Sequence, residues 1–396
     1  MISEKMLALG KKSSAIREIF EYGKKRKAEI GEENVFDFSL GNPSVCPPPI
    51  VNETIKKLID EADPIDLHGY TSAPGDMETR KAIAKYLSDT YGTNDEADNI
   101  YMTVGAAASL TVSLNAIVCE RDEVVALAPF FPEYRVFAES AGAKLVVAQC
   151  RAGDFQVDVE ALASAVNEHT KAVIVNSPNN PTGVVFSEES IKALAALLSA
   201  KEKEYSHPIY IISDEPYREL VYGGAVAPYV PNYYDDTISC YSFSKSLSLP
   251  GERIGYICVS RKCEAWKELF FAVCGAGRAL GFVCAPSLMQ KVIPACLGKT
   301  SDTTVYDTNR KLLYKELTNY GYECVYPDGA FYMFAKAFEE NAGEFCERAK
   351  KHELLLVPSD SFGVEGYVRI SYCVTTEQIE RALPAFKALA EDYGKI

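Results

Sequence analysis

The chain runs to 396 residues, 47% of them hydrophobic and 24% charged, enough for a large core and, by length, two or three domains. The formal net charge of −14, from 41 basic and 55 acidic residues, argues against the basic face of a general binder of nucleic acid or anionic membrane. No segment reaches the ~20 apolar residues of a membrane span, and the N-terminal MISEKMLALGKKSSAIREIF has no long apolar signal core.

Residues 1 to about 50 read as an extended N-terminal arm. From residue 99 on, apolar runs alternate with amphipathic stretches. Strands are predicted at NIYMTV (99–104), EVVALA (123–128), KLVVAQ (144–149), KAVIVN (171–176), PIYIISDE (208–215), TISCYSF (237–243) and RIGYICV (253–259). Helices are predicted at AAASLTVSLNAIV (106–118), PEYRVFAESAG (132–142) and 187–204, the last with Ser187 as N-cap. Continuous apolar strands separated by helices predict a parallel or mixed sheet buried on both faces. Beyond residue 300 the pattern changes to an α+β lobe. It has a helix at 304–321, a hairpin pair in ECVYPDGAFYMFA (323–335), a helix at 343–352, strands at 353–358 and 366–373, and a closing helix at 375–394. The twelve cysteines are scattered, without a CxxC pair, and several, such as Cys240, Cys258 and Cys284, lie in apolar runs. They read as reduced, buried thiols of a cytoplasmic protein. Four histidines (His68, His169, His207 and His352) in no ligand spacing give no expectation of a metal site.

Three polar clusters fall at predicted strand ends, where ligands of open sheets bind. VNSPNNPTGVVF (175–186) turns at Asn180-Pro181-Thr182-Gly183. IISDEPYREL (211–220) ends a strand at Asp214, with Tyr217 three residues on. SFSKSLSLPGERIGY (242–256) sets Lys245 among serines with no adjacent carboxylate, and Arg253 eight residues on. Singly, each has an ordinary reading: a tight turn, a helix N-cap and a solvated lysine. Their order and spacing together point to one site.

With these motifs the chain resembles the class I/II, aspartate-aminotransferase-like family of fold-type I pyridoxal-phosphate enzymes, over nearly its whole length, from DFSLGNPSVCPPP to YVRISYCVTTEQIERALPAF. The resemblance implies an α/β fold. A large cofactor-binding domain (51–295) with a mostly parallel central sheet would join a smaller α+β domain built from the N-terminal arm (1–50) and the C-terminal part (296–396). It implies pyridoxal 5′-phosphate as cofactor, an L-amino acid and a 2-oxo acid as small-molecule partners, and a homodimer with shared active sites.

The resemblance also implies the site. Lys245 would form the Schiff base and shuttle the α-proton. Asp214 would face the pyridine nitrogen, and Asn180 and Tyr217 the ring's phenolic oxygen, lowering the Schiff-base pKa. Phe131 would stack on the ring, with Phe130 beside it as the obvious confusion. The phosphate would meet Gly105, the amides of Ala106 and Ala107 at a helix N-terminus, the serines Ser242 and Ser244, and Arg253. Ala107 departs from the family, where Ser or Thr is frequent. Tyr70 would reach the neighbouring subunit's phosphate. Arg369, with Gly41 and Asn180 nearby, would clamp the substrate α-carboxylate, although a strand arginine alone reads as an edge charge. The catalytic set hardly separates transamination from β-elimination at a C–S bond on the same scaffold. A cofactor-sensing regulator is disfavoured, because no basic DNA-binding segment is spare. In CGAGRALGFVCAPSLMQ (274–290), counted from Pro286, Leu280 stands where dicarboxylate-specific relatives place an arginine, and Arg278 falls about two residues early.

Overall fold

The computed structural model describes residues 2–11 and 14–396. Among them a short strand, β1 (Phe36–Asp37), precedes the seven strands of the main sheet: β2 (Ile100–Thr103), β3 (Glu123–Ala128), β4 (Lys144–Gln149), β5 (Thr170–Asn176), β6 (Tyr210–Asp214), β7 (Thr237–Ser242) and β8 (Gly255–Val259). Four more follow: β9 (Tyr332–Lys336), β10 (Leu354–Leu355), β11 (Val357–Pro358) and β12 (Tyr367–Ser371). The main sheet has the order β2-β8-β7-β6-β5-β3-β4. From β7 to β4 its neighbours run parallel, while β8 is antiparallel to both β7 and β2.

The continuous apolar runs become two-faced strands. Ala126, Ile174 and Ile212 pack on one side, beneath helices 106–117 and 266–280, whereas Val125, Val173 and Ile211 pack on the other, beneath helix 188–205. Successive strand residues point to opposite faces, so a strand apolar at every position needs cover on both.

The topology decides where the polar ends go. Asn176 and Asp214 close β5 and β6 as register partners, and Asp214 pairs with Cys240 two residues before Ser242 closes β7. Gly255, opening the reversed strand β8, pairs with both Ser242 and Thr103, the last residue of β2. One rim of the sheet therefore collects residues 103–107, 176–180, 214–217, 242–245 and 253.

The structure departs from the sequence expectation at several places. The N-terminal segment is helical rather than extended, with helices Glu4–Lys11 and Ala15–Ile30; Met1, Lys12 and Ser13 lie outside the described residues. Helix 15–30 buries Ile19 and Gly23, and an added Cβ at Gly23 would stand 2.8 Å from a Leu355 methyl. Its abundant charges conceal that narrow apolar stripe. The hairpin expected over 323–335 is present only in short form: residues 323–325 pair back on the end of β9, with Val325 N–H donating to Phe334 C=O and Lys336 N–H to Glu323 C=O around the Cys324–Ala335 bridge. Between them the chain pairs elsewhere: Gly329 N–H donates to Gly183 C=O and Ala330 N–H to Leu220 C=O. The strand expected at 353–358 divides at Leu356, with β10 pairing β1 and β11 pairing β12. The strand expected from 253 starts at Gly255, because Arg253 has φ +52°. The cysteines, expected to be buried, are not uniformly so: Cys46 and Cys119 are exposed, and Cys150, Cys274, Cys284 and Cys324 are half-buried.

Candidate active site

The rim opens into a cavity of about 260 Å³. Lys245 belongs to a one-turn helix, Phe243–Ser246, that starts where β7 stops. The Ser242 hydroxyl accepts from Ser244 N–H at 3.2 Å and shares a 2.7 Å hydrogen bond with the Ser244 hydroxyl. This cap turns the chain out of the sheet and puts Lys245 at the cavity. Its ammonium donates to the Gly41 carbonyl at 2.6 Å, and among the described residues no carboxylate pairs with it. Desolvation lowers it to about 8, and the Arg369 and Arg253 guanidiniums push the same way. Neutral amine is thus available near physiological pH.

Asp214 lines the same cavity and is 5% exposed. Its Oδ2 accepts from the Tyr134 hydroxyl at 2.5 Å, and its backbone carbonyl accepts from Asn176 Nδ2 at 2.9 Å. Its Oδ1 is buried and, among the described residues, receives no hydrogen bond. Burial raises the carboxyl to about 7, against a smaller lowering by Tyr134. A buried carboxylate oxygen without a donor is costly, so this corner suits a cationic N–H on a bound group. A pyridinium supplies that.

The NNPTG stretch is both turn and site. Asn179 Oδ1 accepts from Thr182 N–H at 3.1 Å and from the Thr182 hydroxyl at 2.8 Å, closing the turn. Gly183 has φ +73°, and an added Cβ would stand 2.4 Å from the Tyr332 carbonyl. Asn180 Oδ1 accepts from Arg369 Nη1 at 3.0 Å, which leaves the carboxamide NH₂ for a ligand. Tyr217 is buried, with its hydroxyl 2.8 Å from that of Tyr332. Arg369 is buried too. Its Nη2 donates to Ser39 C=O at 2.5 Å, and its Nε has no partner among the described residues. Its guanidinium lies 4.6 Å from the Tyr332 ring centre and 5.3 Å from that of Phe362.

At the anion-suited corner, helix Ala106–Ile117 starts at Gly105, whose φ is +98° and which offers no side-chain cap. Its first amide donors are open to an anion. Ala106, Ala107, Ser242, Ser244 and Arg253 line the cavity here. Arg253 Nη1 donates to Pro250 C=O at 3.0 Å, and a Cβ on Gly105 would stand 2.8 Å from Arg253 Nη2. The neighbouring phenylalanines separate: Phe131 lines the cavity, whereas Phe130 is 2% exposed in the core.

Gly41 also lines the cavity, while Gly105 sits just behind its wall. Tyr70 does not join the others. It is fully exposed, beyond helix Pro64–His68, outside this chain's own cavity. Residues missed from the sequence are Tyr134, Asn176 and Tyr332, together with Ile16 and Leu40, which add an apolar wall. Tyr134 ends the PFFPEY stretch that holds Phe131, and Asn176 opens the NSPNNPTG stretch, so both stand beside recognisable motifs. Nothing local marks Tyr332.

Residues 33–386 match the family model described as aminotransferase class I and II. A probable aspartate aminotransferase of Methanocaldococcus jannaschii is 31% identical, covering 96% of this chain and 98% of its own. An aromatic-amino-acid aminotransferase of Thermococcus litoralis is 28% identical, covering 96% of each. A crystal structure of an amino transferase from Eubacterium rectale superposes with TM-score 0.97 at 56% identity, covering 99% of both chains.

Proposed function

Since the chain belongs to the class I and II aminotransferases, pyridoxal-phosphate-dependent enzymes of fold type I, we propose that the cavity beside Lys245 is where it moves an amino group from an L-amino acid to a 2-oxo acid. When bound, the cofactor supplies an electron sink for the substrate's α-carbon. The observation that carries the assignment is that one cavity is lined both by Lys245, whose amine meets the Gly41 carbonyl, and by Asp214, whose buried Oδ1 has no donor among the described residues.

Lys245 is the residue that would hold the aldehyde and move the proton at the substrate Cα. Asp214 would keep the pyridine nitrogen protonated. Tyr217 and the Asn180 NH₂ would donate to the phenolic oxygen, and Phe131 would cover the ring. The amides of Ala106 and Ala107, with Ser242, Ser244 and Arg253, would hold the phosphate, Gly105 leaving the space. Arg369 would pair with the α-carboxylate beside Gly41, which orients the amino acid so that only its Cα–H meets Lys245. Residues 51–295 would form the large domain, with 1–50 and 296–396 as the smaller one. In support, Phe38 shares a core with Tyr306, Phe331 and Phe386.

The amino donor we infer carries an apolar side chain, aromatic or aliphatic. Among the described residues lining the cavity the cations are Lys245, Arg253 and Arg369, each already given a role, and Ile16 and Leu40 add apolar lining. Arg278, in the last turn of helix Trp266–Leu280, is exposed on this chain's surface. A homodimer is the assembly we propose, with Tyr70 reaching the partner's phosphate. Ile65, Tyr70 and Phe271, 81%, 100% and 70% exposed, are apolar area for such an interface. The compartment we propose is the cytoplasm, consistent with twelve unpaired cysteines; no helix among the described residues is long and apolar enough to cross a membrane.

Borohydride reduction of the cofactor-loaded protein, followed by peptide mapping, tests the core of this reading. Pyridoxyl label on Lys245 is expected, and label on any other lysine would refute it. A panel of amino donors with 2-oxoglutarate and pyruvate then reads the substrate class.

A further inference from the structure

Tyr332 comes from β9, outside the three polar clusters the sequence singled out, yet it touches three groups of the site. Its hydroxyl lies 2.8 Å from that of Tyr217. Its ring lies under the Arg369 guanidinium at 4.6 Å. An added Cβ at Gly41 would stand 2.0 Å from its hydroxyl oxygen, so the absence of a side chain at Gly41 makes room for it. Tyr332 is 2% exposed and lines the cavity.

Two phenols at hydrogen-bond distance have one proton each, and only one of the protons can lie between them. If Tyr217 spends its proton on the cofactor's phenolic oxygen, the bond between the two tyrosines must run from Tyr332 to Tyr217. A phenol that accepts a hydrogen bond is itself a stronger donor. The ring makes a separate contribution: an arginine over a buried aromatic face is held by the ring quadrupole.

We propose that Tyr332 is a positioning residue serving both ends of the site, its hydroxyl donating to Tyr217 and so directing the Tyr217 proton at the cofactor, its ring seating Arg369 for the substrate carboxylate. This rests on the roles given above to Tyr217 and Arg369. The two functions sit on different parts of one side chain, so they separate by substitution. Tyr332→Phe removes the hydroxyl and keeps the ring, and Tyr332→Leu removes both.

The readouts are the pH at which the bound cofactor's visible absorbance band changes, and the affinity of the loaded protein for propionate, an inert monocarboxylate. Weaker donation leaves more negative charge on the phenolic oxygen, which favours the protonated form of its link to Lys245 and moves that pH upward. Tyr217→Phe should raise it most. Tyr332→Phe should raise it by a smaller step with propionate affinity unchanged, and Tyr217→Phe with Tyr332→Phe should match Tyr217→Phe alone. Tyr332→Leu should add a loss of about five- to thirtyfold in propionate affinity, the size of a desolvated cation–π contact. A Tyr332→Phe protein with an unmoved band, while Tyr217→Phe shifts it, would overturn the hydroxyl's role and leave the aminotransferase assignment intact. An unmoved band in Tyr217→Phe would instead refute the role of Tyr217 and this inference with it. Unchanged propionate affinity in a folded Tyr332→Leu protein would overturn the ring's role.

Discussion

Asp214 is a buried carboxyl whose ionisation costs the cofactor-free fold. Burial raises it from an ordinary 3.8 to about 7 in this chain. A carboxyl whose folded pKa lies above its unfolded one favours folding when protonated. That advantage is complete below about pH 4 and is lost as pH rises through about 7. Above it, the ionised group destabilises the cofactor-free fold by up to about 4 kcal/mol. Asp214→Asn should therefore raise the Tm of the cofactor-free protein more at pH 8 than at pH 5, while weakening pyridoxal phosphate binding and abolishing most turnover. Equal Tm changes at both pH values would show that the carboxyl titrates normally. Arg278 poses the other residue-scale question. If the donor side chain is apolar, Arg278→Ala should lower kcat/KM only slightly, and to the same degree, for all amino donors. A large loss confined to aspartate and glutamate would show instead that it reads a side-chain carboxylate.

At the scale of elements, the anion-suited corner depends on a strand, a glycine and a helix start acting together. β2 ends at Thr103, Gly105 turns with φ +98°, and helix 106–117 presents its first amides beside Arg253. An alanine at 105 would meet both obstacles at once, a left-handed backbone that L side chains resist and a guanidinium 2.8 Å from its Cβ. Gly105→Ala should weaken pyridoxal phosphate binding by roughly ten- to a hundredfold, the size of a lost charge-assisted hydrogen bond, and barely change binding of pyridoxal, which lacks the phosphate. Equal losses for both ligands would place the damage elsewhere than the phosphate.

For the whole molecule the open matter is whether a site is complete within one chain. Tyr70 is fully exposed and outside its own cavity, as a residue meant for a partner would be. Mixing Tyr70→Phe with Lys245→Ala protein and allowing subunits to exchange tests this. In shared sites, each heterodimer has one site with both lesions and one with neither, so activity should reappear. No recovery with exchange confirmed, or a monomer by sedimentation at working concentration, would show that the sites are self-contained.

Much of this architecture is legible in the amino-acid sequence itself. Strand burial on both faces follows from apolar runs at every position, since period-2 geometry leaves no face for solvent. The placing of the rim's polar residues is legible because each motif is local: Ser242 caps the turn that carries Lys245, and Asn179 closes the turn that carries Asn180. What the local pattern hides is which distant residue completes each group. Tyr134 donates to Asp214 from 80 positions away, and Tyr332 meets Tyr217 from 115. Both are ordinary aromatics on a helix and a strand, and only the packing of those elements across the sheet's rim gives them a polar partner. The N-terminal helix and the divided strand at 354–358 belong to the same class. Their partners, Gly23 against Leu355 and β1 against β10, lie more than 300 residues apart in the chain, so no window of sequence contains both. Composition, period and capping thus set the elements and the turns that bring the polar clusters to one rim, whereas contacts between remote segments, which depend on tertiary packing, decided which side chains those clusters meet.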